Sequence, residues 1–216
     1  MLKPVLFEQL ELGEAFGPVR VVADDAYVKQ HAFAADDYHP WSMGGTAPDG
    51  TRVVQSTALL ADLLRLLNER YDPHFDRGLH QREQWWHGGA VRVGDELELE
   101  GRLTETYWKR GRPYFVVDAE ARRVSDGVVV LRHRAVEAVG IGDPEALGSG
   151  SSQDRVEGAP SRRVAGAIPE GAPAAILPLG AGSAVGSALP PLSKRPTQTQ
   201  VSVFSNVGAF WRTTHT

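Results

Sequence analysis

The stretch TRVVQSTALLADLLRLLNERYD, residues 51–72, constrains this chain more than any other. Val53, Ser56, Leu60, Leu63, Leu64 and Leu67 recur at helical spacing, and Leu59 and Leu66 widen the stripe almost around the helix. A helix that apolar has to be buried on most sides, as when a sheet wraps it. Burying a leucine is worth about 1.5–3 kcal/mol, so this segment is expected to organise the core. Pro73 follows its end.

The flanks supply the rest of the layers. GPVRVV gives a short strand to Val22, and Asp24 or Asp25 is placed to cap a helix on which Tyr27, Val28, His31, Ala32 and Ala35 share one face. Pro40 is expected to close that helix, and SMGGTAPDG to form a loop. After the central helix, ELELEGRLTETYW sets Leu97, Leu99, Gly101 and Leu103 against charged neighbours, with GRPYFVVDAEARRV and GVVVLRHRAVEAV following. KRGRP and SDGV between them read as hairpin turns. Trp85 and Trp86 fall on opposite strand faces, one for the core and one for a partner. One central helix followed by a meander implies an α+β fold, a curved antiparallel sheet around the helix.

Composition changes sharply further on. Of the 45 residues from 148 to 192, 29 are Gly, Ala, Ser or Pro. Such a segment buries too little apolar surface to order itself, so it reads as a linker. The uncharged run from Gly171 to Ser193 has the length of a membrane span, but Pro173, Pro178, Pro190 and Pro191 and its small residues argue against one. The N-terminal MLKPVLFEQLELGE carries four charges and no apolar h-region, unlike a signal peptide. A cytoplasmic protein with no membrane partner is expected. The net charge of −4 leaves no basic footprint for nucleic acid, and the absence of cysteine excludes disulfide and thiolate chemistry. Asp72, His74, Asp76 and His80 crowd YDPHFDRGLH, but their spacing matches no common ligand pattern, so neither metal nor cofactor is expected.

The segments AFAADDYHPW, GLHQREQWWHGGAVRVGDELELEGRLTETYWKRGRPYFVVDAEAR and VLRHRAVEAV, in that order and spacing, resemble the N-terminal hotdog of the MaoC-like acyl dehydratases and (R)-specific enoyl-CoA hydratases. The likeness spans nearly all of residues 5–142. That family often carries two hotdogs in one chain. Its second opens with a Thr-Gln helix and a Gly-Asp-x-Asn-Pro-x-His loop, and LPPLSKRPTQTQVSVFSNVGAFWRTTHT is similar to that opening. The resemblance thus implies a hotdog over residues 1–147, a linker over 148–192 and the truncated start of a second hotdog over 193–216. It further implies a 2-enoyl-CoA or 3-hydroxyacyl-CoA thioester as substrate, and a homodimer or a pairing with another hotdog.

Hydration of an enoyl thioester needs a base for water, an acid for the α-carbon and a donor for the enolate oxygen. The family uses an Asp and a His five positions apart on one loop for the first two. Backbone N–H groups at the start of the central helix supply the third. Aligned on Pro40, Asp37 holds the Asp position, His39 the Asn position and Ser42 the His position. In the C-terminal piece His215 matches the His, while Phe210, Arg212 and Thr213 stand at the Asp, Asn and Pro positions. The candidate catalytic residues are therefore His215, Asp37 and His39, with Gly44, Gly45 and Gly50 as candidates for letting a thioester approach the helix. Neither half holds a complete pair, which leaves two alternatives open. One is a non-catalytic acyl-CoA-binding or structural subunit that needs a catalytic partner. The other is a hotdog thioesterase, for which Asp62 is the carboxylate available in the helix.

Overall fold

The computed structural model describes residues 2–72, 79–139 and 194–206. The chain divides into two compact units, residues 1–154 with 196–216, and residues 155–195; the fold is that of the first. The expected linker, His74, Asp76, Phe210 and His215 lie outside the described residues.

Seven strands are present among the described residues. They are β1 (Lys3–Pro4), β2 (Ala15–Val22), β3 (Tyr71–Asp72), β4 (Leu79–His87), β5 (Glu96–Lys109), β6 (Arg112–Arg123) and β7 (Val129–Ala138). Five of them form the main antiparallel sheet, in the order β2, β5, β6, β7, β4. The meander read from the sequence is thus present. In the β5–β6 hairpin, Arg110 and Gly111 both take positive φ, 52° and 71°, as a two-residue turn that continues the strand twist requires. A second, two-stranded sheet pairs β1 with β3 in parallel. Tyr71 anchors it, donating its hydroxyl to Glu14 Oε2 at 2.5 Å. Burial, then this bond to Glu14, raise the Tyr71 pKa to about 12.

The central helix is shorter than its leucine pattern suggests. Two helices precede it, α1 (Asp25–Ala35) and α2 (Pro40–Met43), and it is itself α3, spanning Leu60–Arg65 and running on as a 3-10 turn through Leu66–Glu69. Upstream, Val53 is bridged to Arg92, and Val54 N donates to Val91 O at 2.9 Å. Two β-branched residues favour extended backbone, and here tertiary pairing takes them out of the helix. The buried stripe is accordingly Leu59, Leu63, Leu66 and Leu67, while Leu60 and Leu64 are half-buried and Ser56 is exposed. These leucines pack with Leu97, Leu99, Leu103, Phe115 and Val117 of the sheet. Leu66 sits over Gly101, where an added Cβ would stand 3.2 Å from its Cδ1. Glycine lets the helix approach that closely.

Asp24 caps α1, its side chain accepting from Tyr27 N at 2.8 Å. Val28, His31, Ala32 and Ala34 are the buried residues of this helix. Pro40 does not close it. The helix ends at Ala35, with Asp36 left-handed at φ 52°, and Pro40 instead opens α2. Proline suits a first helical position because the missing N–H has no partner there anyway. The C-terminal helical run begins where the sequence suggests. α4 (Gln198–Asn206) starts with Thr197 and Gln200 in a reciprocal cap, 2.8 Å and 3.1 Å, and Gln200 Nε2 donates to Phe33 O on α1 at 3.2 Å. Among the described residues no helix is long and apolar enough to cross a membrane.

Candidate active site

The loop that carries the sequence candidates leaves α1 at Asp36 and passes through α2. Asp37 is half-buried; its N–H donates to Ala32 O at 3.0 Å, and its carbonyl accepts from Gln55 Nε2 at 3.1 Å. His39 is exposed and caps α2: its Nδ1 accepts from Trp41 N at 3.2 Å, and its ring meets that of Trp41 edge-on at 5.1 Å. Ser42 is buried, and its carbonyl accepts from Arg52 Nη2 at 2.6 Å. Position 42, which the resemblance aligns with the motif's imidazole, thus has a small buried side chain.

Beside this loop lies a cleft of about 620 Å³. Trp41, Val54, Gln55 and Leu59 line one side, and His87 and Leu131 the other. Its walls are largely apolar, which suits an acyl chain. Gln55 supplies the buried polar group: its Oε1 has no hydrogen-bond partner among the described residues. His87 is exposed, and its ring stacks on Trp85 at 6.0 Å with 25° between planes. Sequence reading missed both residues. Gln55 was hidden in a segment that reads as helix. His87 was legible as the strand neighbour sharing a face with Trp85.

The glycine candidates fall elsewhere. Gly44 caps the end of α2, Gly45 N donates to Pro40 O at 2.8 Å, and Gly50, at φ 80°, closes the turn from Ala47 to Thr51. None of the three lines the cleft. Two backbone donors at the helix start are also engaged: Ala58 N donates to Gln55 O at 3.0 Å and Leu60 N to Thr57 O at 3.2 Å. Asp62 is fully buried and accepts from Tyr27 Oη at 2.6 Å, a bond that ties α3 to α1. Burial and then the neighbouring Asp62 carboxylate push the Tyr27 pKa well above its ordinary value, so the phenol stays a donor. Among the described residues no group of three or more His, Asp or Glu is arranged to hold a metal ion.

No family model and no curated protein matches the sequence. Solved structures do match the fold. A monoamine oxidase regulatory protein from Archaeoglobus fulgidus superposes with a TM-score of 0.56 at 14% identity, over 65% of this chain and 97% of that one. The R-hydratase PhaJ1 from Pseudomonas aeruginosa gives 0.54 at 14% identity, over 65% and 88%. A MaoC-like dehydratase from Rhodospirillum rubrum gives 0.50 at 21% identity, over 64% and 98%. The fold is a hotdog, as in these structures. At these identities the likeness is one of fold. In this hotdog the motif loop and the cleft stand side by side, at the start of the central helix.

Proposed function

We propose that this chain contributes the N-terminal hotdog of a MaoC-like acyl-CoA hydratase/dehydratase, acting on 2-enoyl-CoA or 3-hydroxyacyl-CoA thioesters together with a second hotdog. The observation that carries the reading is the apolar cleft beside the Asp37–Ser42 loop in a hotdog of this type. In this reading the cleft holds the acyl thioester, and His215 of a second hotdog opening near residue 193 moves the protons. One proton leaves water as its oxygen adds to the β-carbon, and one reaches the α-carbon. β4 is an edge strand with Trp86 exposed on it, which supports pairing with another hotdog.

One observation favours a second reading, a non-catalytic acyl-CoA-binding subunit. His39 Nδ1 is engaged in capping α2, and Ser42 occupies the motif's His position, so the loop by itself holds no acid–base pair. The thioesterase alternative finds less support, because Asp62 is buried against Tyr27 and does not line the cleft.

The test is the loss of enoyl-thioester absorbance with a short and a long acyl chain. The 216-residue chain is expected to turn over little or nothing. A misplaced catalytic group costs on the order of a hundredfold in rate. Extension with a second hotdog restores turnover, His215→Ala then abolishes it, and Asp37→Asn changes it little. Robust turnover by the chain alone, lost in Asp37→Asn, would move the active site into this hotdog. Sedimentation at tens of micromolar, a range chosen to catch weak interfaces, is expected to show association.

A further inference from the structure

The cleft beside the motif loop has a rim and an inner end. Trp41, Asp49 and His87 are exposed and belong to the rim. Val54, Leu59 and Leu131 are buried and belong to the inner end, together with Gln55, which is 7% exposed. The other polar side chains of the lining, Asp49, Ser56 and His87, are all exposed. Among the described residues, Gln55 is therefore the polar side chain of this cleft that is held away from water.

The contacts of Gln55 decide what its buried oxygen requires. Nε2 donates to Asp37 O at 3.1 Å. A main-chain carbonyl only accepts, so this contact fixes the carboxamide with its N–H groups toward the loop and Oε1 turned from it. The reverse orientation would set two acceptors against each other. Oε1 is buried and has no hydrogen-bond partner among the described residues. A carboxamide does not titrate near neutral pH, so Oε1 is an acceptor whatever its surroundings. In the open cleft, water can donate to it. A ligand that displaces the water must bring a donor of its own or leave the oxygen bare, which is costly.

We propose that Gln55 is the specificity-determining residue of this cleft and selects a 3-hydroxyacyl thioester over a 2-enoyl or a saturated one, its Oε1 accepting the hydrogen bond of the 3-hydroxyl. The inference rests on the reading of the cleft as an acyl-thioester site. The three acyl groups differ at the β-carbon, where the hydroxyacyl chain carries an O–H and the others carry only C–H. The thioester carbonyl is itself an acceptor and cannot serve. The amide N–H groups of the pantetheine arm lie beyond the sulfur. That polar arm follows the exposed rim toward water, while the hydrocarbon chain takes the buried inner end, where Gln55 sits.

The experiment titrates the 216-residue chain by calorimetry with 3-hydroxyhexanoyl-CoA, each enantiomer separately, and with 2-hexenoyl-CoA and hexanoyl-CoA. One enantiomer of the hydroxyacyl thioester should bind about tenfold more tightly than the enoyl and saturated ones, the ratio expected of one hydrogen bond to a buried acceptor. In Gln55→Met, of similar size and without the acceptor, its affinity should fall to that of hexanoyl-CoA, with hexanoyl-CoA itself unchanged. The comparison of the acyl forms on the unaltered protein needs no variant to fold. Equal binding of the three forms overturns the role of Gln55 and leaves the cleft a thioester site. So does a hydroxyl advantage that survives in Gln55→Met, or an equal weakening of all three forms there, which marks a structural role. Binding of none of them up to about 1 mM, a weak limit, removes the thioester reading of the cleft and this inference with it.

Discussion

The helix-facing side of the sheet has two unlike halves. Over β5 and β6 the central helix lays Leu63 and Leu66 on Leu97, Leu99, Leu103 and Val117, and the contact is wholly apolar. Over β7 and β4 the same face carries His133, Glu83, His80 and Glu137, linked imidazole to carboxylate. The short helix accounts for the difference. Its leucines pack on the β5–β6 part, and toward β7 they border a cavity lined with polar side chains as well. An apolar contact stabilises in proportion to the area it removes from water. A buried polar chain contributes little net stability, but its orientation can recognise a ligand.

The largest test of this contrast is Leu63→Ala in the apolar half. Leu63 is fully buried, so the expected loss is about 2–5 kcal/mol, read from the urea midpoint. A loss under about 1 kcal/mol, well below the range for core leucines, would mean that the helix does not organise the core.

In the polar half, Glu83→Leu removes the acceptor and leaves both nitrogens of a buried imidazole without a partner. A cost of about 1–3 kcal/mol follows. Adding His133→Phe should recover most of it, because exchanging a buried polar pair for apolar groups of similar size is close to neutral. A double variant no more stable than Glu83→Leu alone would show that the polar half contributes to stability as much as the apolar half does.

The smallest effect concerns His80. Burial opposes its charged form, but the hydrogen bond and charge of Glu137 and the charge of Glu83 more than offset this, so its pKa is raised above 6.5. A raised folded-state pKa gives stability that is fully present below pH 6.5 and is lost as pH rises through the folded value. Unfolding free energy measured across that window should fall in the parent protein and stay flatter in His80→Gln. An identical slope in both would remove His80 from the account.

Local rules were enough for the strands, the hairpin turns and the Asp24 cap, because each is a pattern of neighbours along the chain. The layers followed from the same patterns, since one very apolar helix beside a long meander has few ways to bury its leucines. Helix extent was not legible in that way. Val53 and Val54 fit a helical stripe by spacing, and only their pairing with Arg92 and Val91 takes them into extended backbone. The roles of the loop residues were equally non-local: His39 became a cap, Ser42 a buried position under Arg52, and Gln55 a partner of Asp37. His133 shows the limit most clearly. In VLRHRAVEA it is one more residue of an alternating strand, on the face that points inward. That this inward position meets Glu83 from the neighbouring strand depends on register, and register is a property of the assembled sheet.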